Sequence, residues 1–185
     1  MGQPNFNVIV DEIKSLPTAP DVIMTPAYEP DFPTFLKALR GAGITTPVLG
    51  TDGIDSATTL GLGEVADGVV FSTAGILANE GDQAAFWTKY NTKYGKDPET
   101  IFAITGYELG KILEAAVTNA QSCDPIPIKD ALTNLEGVQG ITGPISYKGG
   151  DRMAIREITL VEVQNGERTF VLAVAPDPAT VPPAQ

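Results

Sequence analysis

The 185-residue sequence contains no histidine. Without imidazole, the usual general base near neutral pH, the Ser-His-Asp and Cys-His nucleophile systems and histidine-built metal sites are all excluded. Basic residues are also scarce. Twelve Lys and Arg face 23 Asp and Glu, a net charge of −11 with a pI near 4.3. No cation cluster exists to replace counterions, so neither nucleic acid nor an anionic lipid surface is an expected partner. The one cysteine, Cys123, sits in the polar turn Gln121-Ser122-Cys123-Asp124 and reads as an incidental loop residue. No charged n-region followed by an apolar run opens the chain, and no apolar run is long enough to span a bilayer.

What is present suits a normal core, in one large domain or two small lobes: 43% of residues are hydrophobic. Asp11–Leu16 is weakly helical. Pro20-Asp21-Val22-Ile23-Met24-Thr25 reads as a buried parallel strand with Tyr28 just past its carboxyl end. Phe32, Phe35, Leu36 and Leu39 follow at helical spacing, with Asp31 expected to cap that helix and Gly41 to close it. Pro47-Val48-Leu49-Gly50 is the next strand, and Thr51-Asp52-Gly53 breaks it off. Strand, helix, strand is the signature of a right-handed parallel crossover. A short helix over Ser56–Leu62 and a third strand at Val69–Ser72 extend the pattern.

The texture then changes. Phe86, Trp87, Tyr90 and Tyr94 form an aromatic helical face stopped by Gly95. Phe102, Gly106, Leu109, Leu113, Ala116 and Ala120 fall on one side of a longer helix, and Ile128, Ala131, Leu132 and Leu135 predict a third. No strands between Asn79 and Gly140 supply a sheet for these helices. The close is β: Gly143–Tyr147, Ile155–Val163, a type I′ turn at Asn165-Gly166, and Thr169–Val174. The tail from Pro176 is proline-rich and expected to be extended or disordered.

Gly61-Leu62-Gly63-Glu64-Val65-Ala66 fits G-x-G-x-x-A, yet it follows no strand, so a dinucleotide site is not expected. Glu12, Glu29, Asp31, Asp52 and Asp55 contain no closely spaced calcium-loop run, and loop carboxylates of an acidic protein are usually solvated. No metal or cofactor is therefore expected. Position singles out Asp52 and Tyr28. They end two strands joined by one crossover, and open α/β sheets bind ligands just beyond the carboxyl ends of their strands. A phenol beside an unneutralised carboxylate suits a small cation or ammonium, although a half-buried core tyrosine and a plain turn explain the same residues.

The series Val22-Ile23-Met24-Thr25-Pro26-Ala27-Tyr28, Leu39-Arg40-Gly41-Ala42-Gly43, Pro47 to Gly53, Ala66-Asp67-Gly68-Val69, Phe86 to Gly95, Tyr107 and Gly140-Ile141-Thr142-Gly143-Pro144-Ile145 resembles the type I periplasmic substrate-binding proteins of branched-chain amino-acid ABC transporters. The resemblance implies an α/β fold, a Rossmann-like parallel-sheet lobe, covering only the C-terminal half of such a protein. Residues 1–75 would be the second lobe, 76–152 a helical segment and strand crossing back to a missing first lobe, 153–175 a hairpin returning to the second lobe, and 176–185 a tail. It also implies a small-molecule ligand (an amino acid or small amide or acid), a membrane permease as partner, a periplasmic or extracellular location, and no catalysis. A ligand-sensing domain of a receptor or regulator is the alternative. By the same resemblance Asp52 pairs with a ligand's α-ammonium, Tyr28 contacts the ligand and Phe102 walls its side-chain end, while Thr25, Ala27 and Gly53 are backbone or near contacts. The apolar faces around Phe86, Trp87, Leu109 and Leu113 would need covering by a second copy or by the first half.

Overall fold

The structure, a computed structural model, describes residues 5–150, 152–175 and 177; the proline-rich tail expected from Pro176 lies outside the described residues apart from Asp177. The chain divides into two compact units. Of the described residues, one unit takes in those up to Ile76 with Thr159–Leu172, the other those of Leu77–Ile158 with those from Ala173 on.

The first unit is built on a sheet of order β1-β2-β3-β6-β7, comprising Ile23–Met24, Val48–Gly50, Val69–Thr73, Ile158–Gln164 and Glu167–Val174. β1, β2 and β3 are parallel, with Met24 opposite Leu49 and Leu49 opposite Val70; β6 joins antiparallel, with Phe71 opposite Val161. Helix α1 (Asn7–Lys14) begins four residues before the expected start. Helix α2 (Asp31–Gly41) buries Phe32, Phe35, Leu36 and Leu39, and these meet Val48, Val69, Phe71, Val161 and Val163 in one core. Apolar side chains at i, i+3, i+4 and i+7 can all reach one face, which is why this segment is helical.

Both ends of α2 differ from expectation. Pro30, not Asp31, is the N-cap, and no side chain caps it; Asp31 stands inside the first turn, where its charge still complements the helix dipole. Gly41 is the last helical residue, and the left-handed residue is Gly43. The guanidinium of Arg40 closes this end by donating to the carbonyls of Ile44 (2.9 Å) and Thr46 (3.0 Å). Helix α3 is short, Ala57–Leu60. Gly61-Leu62-Gly63 links it to one 3₁₀ turn at Gly63–Val65, so no strand precedes the glycines. The β6–β7 turn places Asn165 and Gly166 at positive φ, as a type I′ hairpin requires.

A buried ion pair ties β7 to the loop after β2. The Arg168 guanidinium lies 2.6 Å from Asp55, whose side chain is fully buried, and Thr73 donates to the other carboxylate oxygen at 3.4 Å. The expectation of a solvated loop carboxylate fails here. Burial pushes the Asp55 carboxyl above its usual range, while Arg168 and Thr73 pull it part of the way back. A group whose folded pKa is raised contributes stability below its unfolded pKa and loses it as pH rises through the folded value. Arg168→Met is therefore expected to cost about 2–3 kcal/mol at pH 7, less than the usual figure for a broken buried pair because Asp55 can take a proton. The deficit should shrink toward pH 4, as urea unfolding across pH will show. A deficit independent of pH would mean that Asp55 is not its source.

In the second unit, α4 (Gln83–Tyr94) ends at Gly95 in the left-handed conformation. Phe86 is buried against Tyr90 and Tyr107, with ring centroids 5.7 and 5.5 Å away, so it is not part of an open apolar face. Helix α5 (Phe102–Ala120) buries Ile104, Glu108, Ile112 and Ala116. Phe102, Leu109 and Leu113 of the apolar stripe face outward. On the buried side α6 (Pro125–Thr133) and β4 (Val138–Gly140) pack on α5, and Leu135, just past α6, joins Ile112 and Ile145 in a small core. β4 pairs antiparallel with β5 (Gly143–Ile145). No strand lies between residues 79 and 137. Leu109, Ile112, Leu113, Leu132 and Tyr147 line an apolar hollow of about 350 Å³ on this unit.

Candidate ligand site

Thr25, Pro26, Ala27 and Tyr28 leave the end of β1, and Thr51, Asp52 and Gly53 leave the end of β2, its parallel neighbour. The Thr25 amide donates to the Leu49 carbonyl (2.9 Å), carrying the pairing one residue past the strand. The Thr25 hydroxyl then accepts from the Ala27 amide at 3.1 Å, turning the chain. The Tyr28 carbonyl takes the amides of Asp31 and Phe32, which anchors the tyrosine to the start of α2. Asp52 opens a single 3₁₀ turn, Asp52–Ile54, its carbonyl accepting from the Asp55 amide at 3.0 Å.

These two loops touch. A Cβ on Gly53 would stand 2.7 Å from the Tyr28 Cβ, so only glycine lets the loops approach this closely. The Glu29 amide donates to the Gly53 carbonyl at 3.4 Å. A shallow cavity of about 220 Å³, lined by Met24, Thr25, Pro26, Leu49, Gly50 and Thr51, opens at the strand ends. The side chains of Tyr28 and Asp52 are exposed. Thus Thr25, Ala27, Tyr28, Asp52 and Gly53 share one pair of neighbouring loops. Phe102 begins α5 and belongs to the other unit.

Sequence reasoning missed the residues behind the loops. Glu29 accepts hydrogen bonds from the hydroxyls of Ser56 and Thr59, the latter at 3.3 Å. Ser56 also caps α3, its oxygen accepting from the Thr59 amide at 3.0 Å. The signal available was Ser56 itself, a preferred N-cap residue directly before a short helix; nothing local pointed from Ser56 back to Glu29. Chemically, the loops offer an aromatic face, a carboxylate and backbone groups. No cluster of three or more Cys, Asp or Glu side chains placed to hold a metal is found among the described residues.

The sequence model of the family described as periplasmic binding protein matches residues 1–168. The chain belongs to that family. The structure is similar to a leucine binding protein, LivK, of Thermotoga maritima, at 27% identity and a TM-score of 0.78 over 95% of this chain and 50% of that one. It is also similar to the branched-chain amino acid transporter substrate binding protein LivJ of Streptococcus pneumoniae, in complex with isoleucine, at 23% identity and a TM-score of 0.74 over 95% and 50%. A solute binding protein of an ABC transporter from R. palustris, in complex with benzoate, shares 19% identity and a TM-score of 0.72 over 95% and 49%. At these last two identities the likeness shows the fold alone. The chain spans about half the length of these proteins. No curated protein matches the sequence. Within the family fold, the mainly parallel sheet of the first unit corresponds to one lobe of a type I periplasmic binding protein. No helix among the described residues is long and apolar enough to cross a membrane.

Proposed function

We propose that this chain is the C-terminal, ligand-gripping portion of the extracytoplasmic solute-binding component of an ABC importer, its first unit the second lobe, delivering an amino acid to a membrane permease and catalysing nothing. The observation that carries the reading is the contact of the Tyr28 and Asp52-Gly53 loops at the carboxyl ends of adjacent parallel strands. Asp52 would pair with the ligand's ammonium and Tyr28 would cover it. Thr25, Ala27 and Gly53 would supply backbone or near contacts, and Phe102 would wall the side-chain end. Ser56, the hydroxyl bonded to Glu29, is committed to capping α3 and is not a poised nucleophile.

In this reading the outward stripe of Phe102, Leu109 and Leu113 packs on the first lobe of the fold, which also supplies the groups for the ligand's carboxylate. Exposed apolar patches of this kind mark surfaces that another element covers. Charge favours an amino acid over a bare acid. The strand-end loops carry Glu29 and Asp52, the first turn of α2 carries Asp31, and the nearby cation Arg168 is taken by Asp55. Thermal melting of the protein bearing both lobes, with leucine and with benzoate, tests this. Leucine should raise the melting temperature, because a ligand bound only to the native state stabilises it, and benzoate should not. A rise with benzoate alone would overturn the ammonium site.

A further inference from the structure

We infer that Glu29 is a positioning residue, a clip that joins the loop carrying Tyr28 to the loop carrying Asp52 and fixes the gap between the aromatic ring and the carboxylate. The inference rests on the reading of those two residues as the ligand site. Tyr28 and Asp52 project into solvent, so packing around their own side chains does little to place them; their backbones must be held from behind. Each loop is anchored separately, one through the Tyr28 carbonyl at the start of α2 and the other through Ser56 at the start of α3. Glu29 joins the two anchors. Its carboxylate takes the hydroxyls of Ser56 and Thr59, and its amide donates to Gly53. Bonds to a charged acceptor are roughly twice as strong as neutral ones. A binding constellation needs supporting contacts of this kind to hold its spacing to about 0.5 Å.

Glu29→Gln keeps an oxygen that accepts from both hydroxyls, whereas Glu29→Ala removes it, so the pair separates bonding from charge. Amide hydrogen exchange on the ligand-free full chain reads the clip directly. In Glu29→Ala, exchange at residue 29, Ile54 and Asp55 should quicken about tenfold, the loss of one net hydrogen bond, while Phe35–Leu39 of α2 stay protected. Glu29→Gln should recover most of that protection. In a leucine titration of the two-lobed protein, Glu29→Ala should lose about tenfold in affinity and Glu29→Gln should recover most of it. Unchanged exchange in the two loops would overturn the clip, as would equal acceleration in α2 or a Gln variant as impaired as the Ala one. If Asp52→Ala leaves leucine binding untouched while the exchange result holds, the clip stands and the ligand reading falls.

Discussion

Asp52→Ala is expected to weaken leucine binding by the two-lobed protein by about 30-fold or more, the range found when one member of a desolvated charge pair is removed. Most of that loss comes from the ligand. An ammonium drawn into a closing cleft sheds its water, and without a carboxylate it meets no counter-charge. The fold should be nearly indifferent, because the Asp52 side chain is exposed and the 3₁₀ turn uses its backbone carbonyl, which alanine retains. Surface changes away from special contacts move stability by only about 0.5 kcal/mol. Calorimetry separates the two effects, and an unchanged affinity would sink the assignment of Asp52.

Glu108→Ala is expected to be the most damaging substitution for the second unit, by about 3–5 kcal/mol, since breaking a buried pair strands its partner. Glu108 is 1% exposed in the middle of α5. Its carboxylate accepts from the Thr142 amide at 2.7 Å and hydroxyl at 2.8 Å, with Arg156 at 3.4 Å. This holds the Gly140–Gly143 turn of the β4–β5 hairpin against the helix. Glu108→Gln, which keeps an acceptor for Thr142 but loses the charge facing Arg156, should fall between. Gly140 offers an internal check. A Cβ there would stand 2.5 Å from the Glu108 carboxylate and 2.8 Å from the Gly143 carbonyl, so Gly140→Ala should be costly alone and only partly relieved in the Glu108→Ala background, where the backbone contact persists. Urea unfolding of the four proteins gives that coupling, and strict additivity would show that the two do not meet.

The same residue shows where sequence reading stops. The first strands and α2 were legible because apolar period and breaking residues agree locally: Phe32 to Leu39 repeat at helical spacing, and Gly50 and Pro26 end their strands. On α5, hydrophobicity singled out one face only. Phe102, Leu109 and Leu113 make an apolar stripe that stays exposed here, whereas the buried stripe contains a glutamate, and only Thr142 and Arg156, distant in the chain, make its burial tolerable. Asp55 repeats the lesson, since its partner Arg168 stands at the far end of the sequence. At the candidate site the exposed groups were found by a rule about strand ends. In the sequence Glu29 is one carboxylate among several, because its hydroxyl partners lie in a different loop.

The pairing of β3 with β6 also governs how the molecule can be made. Phe71 meets Val161 across the sheet, with Leu77–Ile158 of the second unit synthesised between them. At the usual 5–20 residues per second, β3 waits on the order of ten seconds for its neighbour. During that interval the Val69–Thr73 edge is open while the nascent chain supplies α4, α5 and α6, elements of local contacts that form quickly. The helices of the second unit can therefore be formed before the sheet is closed, and Val161 and Val163 arrive last to seal a core that α2 has already half filled.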